Sequence, residues 1–300
     1  MNVDVVIPTY QNREELTRCL DALDGQLSAG DRALVCVDGS TDGTLEELRE
    51  RRSPFAVEVL EHPDRANHGR SAARNLALAH LRAPVVLLLD SDMVLHPSGV
   101  RGHLALLEAR TCVSVGDVRY ANARDNDWAR YLETRGRSGA ATGSVITPLH
   151  LNSQNTALRS EDLLAVCGFD ERLVGYGGED TELGLRLAAE RSVAIVFNSR
   201  ACATTVETKT TAEGLAQLDR YARTNLRAIR ARHPSRPAPY WLDRLESRRP
   251  RDRALRALMN PLSDAIARVA ARIGPWPLRR AAINYLVLRT VWRGYVEGPR

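Results

Sequence analysis

Residues 85–94 read VVLLLDSDMV. Five apolar residues, Val85 to Leu89, run straight into Asp90 and Asp92. A short apolar run of this kind reads as a strand buried in a sheet. Two ionised carboxylates at its end are costly to bury unless a cation or hydrogen bonds compensate them.

Working outward, similar runs predict strands at Val3–Ile7, Ala33–Val37, Ala56–Leu60 and Cys112–Val115. Helical periodicity fills the intervals at Arg13–Leu23, Thr44–Arg52, Arg70–Leu81 and Pro97–Ala109. This alternation implies a mostly parallel sheet covered by helices. Ligands of such sheets bind beyond the carboxyl ends of the strands. Three polar clusters occupy those places: PTYQN (8–12), DGSTDGT (38–44) and DSD (90–92).

The 300 residues are 44% hydrophobic and 26% charged, an ordinary globular usage that argues against disorder and contains no membrane-length apolar run. The opening MNVDVVIPTY is already strand-like, so no signal peptide and a cytoplasmic protein are expected. Cys19, Cys36, Cys112, Cys167 and Cys202 are scattered, without a C-x-x-C pair, and are expected to be reduced core thiols. Residues 209–300 carry 20 Lys and Arg against 7 Asp and Glu, whereas residues 1–208 carry 22 against 30. The asymmetry divides the chain into an acidic first region and a basic, helical-looking second one. Residues 118–150, rich in Gly, Ser, Thr, Asn and Arg around WARYLETRG, read as an irregular segment able to order over a ligand.

Paired oxygen donors such as Asp90 and Asp92 suit a hard divalent cation that also holds phosphates, although D-x-D alone also fits solvated loop acids or a helix cap. Asp38 lies at the end of a strand facing the same crevice, while Ser40, Thr41 and Asp42 suit capping of the next helix. HGRSAARNLAL (68–78) opens a helix with Gly69 and carries Arg70 and Arg74, able to meet a base or phosphate. In GYGGEDTELGLRL, Glu179 and Asp180 stand at a helix start after three glycines. First-turn electrostatics would suffice to put acids there; a general base beside a cavity is the functional alternative.

The ordered set VVIPTYQN, VDGSTDGT, GRSAARN, LLLDSDM, NSQNTALR and GFDERLVGYGGEDTELGLRL resembles the family 2 inverting glycosyltransferases, over roughly residues 1–200. RYLETRG and RHP are similar to segments of bacterial members with a helical tail. The resemblance implies an α/β fold of the GT-A, nucleotide-diphospho-sugar transferase type: a Rossmann-like, mostly parallel sheet flanked by helices. The catalytic domain would be 1–208, with a basic helical region, 209–300, packed on it. It further implies that Pro8, Thr9 and Tyr10 line the nucleotide pocket, Asp38 binds the base and Arg74 helps hold the nucleotide. Asp90 would lie near the ribose and metal, and Asp92 would ligate Mn2+ or Mg2+ on the diphosphate. Asn155 would approach the donor sugar, Glu179 would orient sugar or acceptor, and Asp180 would be the base. A UDP-, GDP- or dTDP-sugar is the implied donor; the acceptor is not specified.

Val37 stands where the family often has a further acid, leaving base recognition to Asp38. NSRACATTVETKT offers no His where many relatives place another metal ligand, so Glu207 or water would complete the shell. Residues 263–295 can lie on an anionic membrane, apolar face down, or pack as core through Trp276, Trp292 and Tyr295, which is the favoured expectation. Two other readings are weaker. A nucleotidyltransferase acting on sugar phosphates would need a glycine-rich basic loop that IPTYQN lacks. A nucleic-acid-binding module would need a recognisable helix-turn-helix or aromatic platform, so no nucleic-acid partner is expected.

Overall fold

The computed structural model describes residues 1–135 and 140–299. Gly136, the last residue of the RYLETRG motif, and the rest of 136–139 within the 118–150 segment lie outside the described residues. The chain forms two compact units. The first comprises Met1–Asn122, Glu133–Arg172 and Glu179–Val206; the second comprises Ala123–Leu132, Leu173–Gly178 and Glu207–Arg300. The second is thus assembled from three segments, two of which precede residue 208.

Among the described residues eight strands form one sheet: β1 (Val3–Thr9), β2 (Arg32–Val37), β3 (Ala56–Glu61), β4 (Val85–Leu89), β5 (Val94–Leu95), β6 (Cys112–Tyr120), β7 (Asn155–Arg159) and β8 (Ala194–Thr205). Their order is β3-β2-β1-β4-β7-β6-β8-β5. β3, β2, β1 and β4 are parallel, as β6 and β8 are to each other; β7 runs antiparallel between β4 and β6, and short β5 antiparallel to β8. The order turns back at β1, between β2 and β4, which opens a crevice at their carboxyl ends.

Within the first unit, α1 (Arg13–Leu23), α2 (Thr44–Glu50), α3 (Arg70–Leu76) and α4 (Gly99–Ala109) fall where the periodicity places helices, α3 ending early in a 3-10 turn at Ala77–His80. Strand alternation divides the core. Val3, Val5, Ile7, Val35 and Leu87 pack with Leu16, Leu20 and Leu107 on one face. Val6, Leu34, Val86 and Leu88 pack with Ala73, Leu163 and Leu183 on the other. Cys19, Cys36 and Cys112 are buried thiols as expected, but Cys167 is exposed and Cys202 half-buried.

The irregular reading of 118–150 needs correction. β6 extends to Tyr120, and the described part of WARYLETRG forms helix α5 (Asp127–Glu133), with Trp128, Ala129 and Tyr131 buried. This helix belongs almost wholly to the second unit, where Trp128 lies so close to Gly214 that a Cβ there would meet its ring at 2.1 Å. Two further helices of the first unit are α6 (Ser160–Ala165) and α7 (Glu179–Glu190). The second unit continues with α8 (Thr211–Arg223), α9 (Asn225–Arg232), α10 (Leu242–Glu246), α11 (Pro250–Ala257), α12 (Pro261–Ile273) and α13 (Trp276–Glu297). Trp276, Trp292 and Tyr295 are half-buried rather than core; α13 instead buries Ile283, Leu286, Val287 and Val291. No described helix is long and apolar enough to cross a membrane.

Candidate active site

The loops after β1, β2 and β4 are tied together by their own polar side chains. The Asn12 amide donates to Ser91 Oγ at 2.9 Å, the Gln11 backbone N–H to Ser40 Oγ at 3.1 Å, and Gln11 Nε2 to Thr41 Oγ1 at 2.9 Å. Asp42 accepts from the Arg13 N–H at 2.9 Å as well as from Thr44. The GST-D cluster therefore joins β2 to the start of α1, a wider role than capping α2.

Asp38 is buried and accepts from the backbone N–H groups of His68 (2.8 Å) and Gly69 (2.9 Å), while its own N–H donates to Thr9 O at 2.9 Å. It anchors the loop that launches α3, and so fixes where Arg74 emerges. Thr9 is buried with its hydroxyl unpartnered among the described residues, Pro8 is half-buried, and Tyr10 is 51% exposed.

At the centre lies Arg74, 3% exposed. Its Nη2 is 2.6 Å from Asp90 Oδ1, and its Nη1 is 3.9 Å from Glu179 Oε1. Its Cζ sits 5.1 Å from the centroid of the Phe169 ring, and Nε and Nη1 make no hydrogen bond among the described residues. Phe169 is held from both sides of its peptide by Asn75, whose Oδ1 accepts the Phe169 N–H and whose Nδ2 donates to its carbonyl, each at 2.9 Å. Arg70, half-exposed, lies 3.6 Å from buried Glu179.

Glu179 and Asp180 open α7, where the helix dipole favours negative charge. Ser153 Oγ donates to Asp180 Oδ1 at 2.5 Å. Burial, then neighbouring Glu179 and, more weakly, Asp90, push the Asp180 carboxyl up to about 7, against the opposing pull of Arg74 and Ser153. One buried guanidinium thus serves three carboxylates, and the excess negative charge falls on Asp180 as basicity near neutral pH. Ser153 and Phe169 both lie inside sequence motifs quoted above, but a serine and a phenylalanine carry no chemical signal until their neighbours are known.

Asn155 needs correction. It is 0% exposed and turned into the core, accepting from His103 Nε2 at 2.9 Å through Oδ1 and donating from Nδ2 to Ala201 O (2.9 Å) and Asp117 O (3.3 Å). Burial pulls His103 down to about 4, so the imidazole is neutral and its Nε2–Nδ1 pair bridges Asn155 and Ser114. Gly116 is required beside this amide, since a Cβ there would stand 2.2 Å from Asn155 Nδ2. The β7 feature that does reach the crevice is the preceding loop: Gln154 O accepts the Asp90 N–H at 3.2 Å, next to Ser153. Asn155→Ala should therefore lower unfolding free energy by about 2–4 kcal/mol, through unpaired buried partners and a cavity, while leaving nucleotide affinity unchanged. Urea denaturation and calorimetry separate the two effects.

Asp92 accepts from Thr205 Oγ1 at 3.1 Å, and shares with Asp90 the turn after β4. Glu207 belongs to the second unit, where its Oε1 accepts from the backbone N–H (2.9 Å) and Nζ (3.0 Å) of Lys209. Among the described residues no three His, Cys, Asp or Glu side chains converge into a metal cage. Two aspartates on one turn would suit a cation only if its remaining ligands were supplied by phosphate oxygens and water.

The mixed sheet with its antiparallel β7, flanked by helices and followed by a helical C-terminal region, is the GT-A fold of glycosyltransferases. The model of glycosyl transferase family 2 matches residues 4–167, more than half of the chain, and the chain belongs to that family. A second model, described as the N-terminal domain of galactosyltransferase, matches residues 151–207. Among curated relatives, validoxylamine A glucosyltransferase of Streptomyces hygroscopicus subsp. limoneus is 27% identical over 217 residues, 62% of this chain and 48% of that protein. Chondroitin synthase of Escherichia coli is 24% identical over 222 residues, 63% of this chain and 32% of that one. The matches thus span about half or less of these relatives' length. Among solved structures, a mannosyltransferase from Pyrobaculum calidifontis in complex with GDP-Man and Mn2+ aligns with a TM-score of 0.66 at 19% identity, over 96% of this chain and 86% of that one. S. aureus TarS 1-349 in complex with UDP aligns with a TM-score of 0.57 at 18% identity, over 100% of this chain and 92% of that one.

Proposed function

We propose that the protein transfers a sugar from a nucleoside-diphosphate donor to an acceptor hydroxyl with inversion at the anomeric carbon, Asp180 acting as the base. The observation that carries this reading is Asp180 itself: half-buried, held by Ser153 and raised to about 7, it can take a proton near neutral pH. The acceptor oxygen bonds to the anomeric carbon as the bond from that carbon to the diphosphate oxygen breaks. The diphosphate leaves with the bonding electrons, and the hydroxyl proton passes to Asp180. One displacement inverts the centre and needs no enzyme nucleophile, so a single base suffices.

Pro8, Thr9, Tyr10 and Asp38 take the nucleoside side, and Arg74 supports the nucleotide. Glu179, fixed between Arg70 and Arg74, orients sugar or acceptor. Asp92, with Asp90, would hold Mn2+ or Mg2+, which when bound supplies positive charge to the departing diphosphate. The complexes of the structural neighbours with GDP-Man, UDP and UDP-GlcNAc support a sugar-nucleotide donor.

Calorimetric titration with UDP, GDP, dTDP and CDP, each with Mn2+, with Mg2+ and with EDTA, tests this reading. One nucleotide should bind selectively and lose affinity in EDTA, and Asp92→Ala should lose most of the metal-dependent gain. Metal-independent binding unaffected by Asp92→Ala removes that residue from the metal site, and pyrophosphate release from a sugar phosphate and a nucleoside triphosphate overturns the transfer reaction.

A further inference from the structure

We propose that the outer face of α12 is a docking surface for an anionic lipid bilayer. On this helix Leu262, Ile266, Val269 and Ile273 recur at i, i+4, i+7 and i+11, a single stripe about 17 Å long. All four face solvent, at 71%, 61%, 56% and 81% exposure, and Leu278, at 50%, extends the stripe beside Gly274. An amphipathic helix of a globular protein ordinarily turns such a stripe inward. Here the inward face is made of Ala267, Ala270 and Ala271, packed on Ala282, Tyr285 and Leu286 of α13 and on Leu215. The more apolar side is the one presented to solvent.

Charge selects the partner. Arg268 and Arg272 lie along one flank of the stripe and Arg280 beyond its end, and no carboxylate among the described residues pairs with them. Asp264, the acid of the helix, is turned inward, accepting from the Tyr285 hydroxyl at 2.8 Å with Arg289 at 3.3 Å. The outer face therefore combines apolar side chains with uncompensated arginines, the composition of a helix lying in the interface of an anionic bilayer. A second copy of the chain would bring the same arginines against these, an unfavourable juxtaposition of like charge.

The test is co-sedimentation of the full chain with vesicles of phosphatidylcholine alone and of equal parts phosphatidylcholine and phosphatidylglycerol, at low and high salt. The protein should partition onto the mixed vesicles at low salt and be released by high salt. Ile266→Asp with Ile273→Asp, at positions too exposed to matter for folding, should lower partitioning at least tenfold, and Arg268→Gln with Arg272→Gln roughly tenfold. Nucleotide titrations of both variants should match those of the parent, which certifies their folding. Failure to bind mixed vesicles at low salt overturns the proposal, as does equal binding to phosphatidylcholine alone or binding that survives the aspartates. Light scattering that shows a dimer dispersed by the aspartates, without vesicle binding, assigns the face to self-association instead.

Discussion

Asp180→Asn should lower kcat by about a hundred- to ten-thousandfold while making the protein harder to unfold at neutral pH. The first effect follows from loss of the base in a site that otherwise keeps its shape, since Asn can still accept from Ser153 Oγ and nucleotide affinity should be nearly unchanged. The second follows from proton linkage. The Asp180 carboxyl is raised from 3.8 to about 7 on folding, by burial and then by Glu179. Between those values the folded chain holds a proton that the unfolded chain has released, so stability falls as pH rises through that window. Asn carries no charge in either state. The variant should therefore melt a few degrees higher at neutral pH and lose that advantage near pH 4. Melting curves across that range and single-turnover assays check both halves. Normal turnover removes Asp180 from the role of base, and a lower melting temperature at neutral pH contradicts the electrostatic account of its carboxyl.

Arg74→Leu should destabilise the protein by about 3–5 kcal/mol, the expected effect of leaving buried charge without its partner. The guanidinium stands between Asp90, bonded at 2.6 Å, and Glu179 at 3.9 Å, and it lowers the basicity of Asp180. Without it these carboxylates repel one another in a poorly solvated crevice, and Asp180 becomes still harder to ionise. Asp90→Asn added to Arg74→Leu should restore part of the loss, and a double-mutant cycle measures the coupling. Arg74→Lys should recover only part of it, since one ammonium cannot reproduce a planar fork stacked on Phe169. Urea denaturation gives the energies. A loss under about 1 kcal/mol for Arg74→Leu would mean that solvent screens the cluster.

The strands β2 and β4 were legible because a parallel strand covered on both faces becomes a continuous apolar run, as Val85–Leu89 does, whereas the edge strand β3, AVEVLE, shows only valines alternating with glutamate. β7 was not: NTALR buries Asn155 and Thr156, and its place in the sheet depends on partners distant in sequence. β8 was hidden by Asn198, Ser199 and Arg200, which interrupt its apolar pattern where the register with β6 shifts. The acids of the site could be read because charge at a strand or helix end is unusual. Asn155 was misplaced because a motif gives a position along the chain, whereas strand alternation decides whether the side chain faces crevice or core. The stripe on α12 was visible as periodicity, but which side of the helix faces outward depends on the alanines that meet α13.

The antiparallel β7 has a consequence for how the chain is made. β4 lies mid-sheet, paired on one side by β1 and on the other by β7. During synthesis its VVLLL backbone is available long before Asn155–Arg159 has been translated, an interval of about 4–14 s at about 5–20 residues per second. For that time the nascent chain presents an open apolar strand edge, a template for pairing with another chain. The step that buries this edge also brings Gln154 to Asp90 and with it Ser153, the partner of Asp180, so one side of the crevice is laid down by a segment that precedes α7 and β8 in the chain.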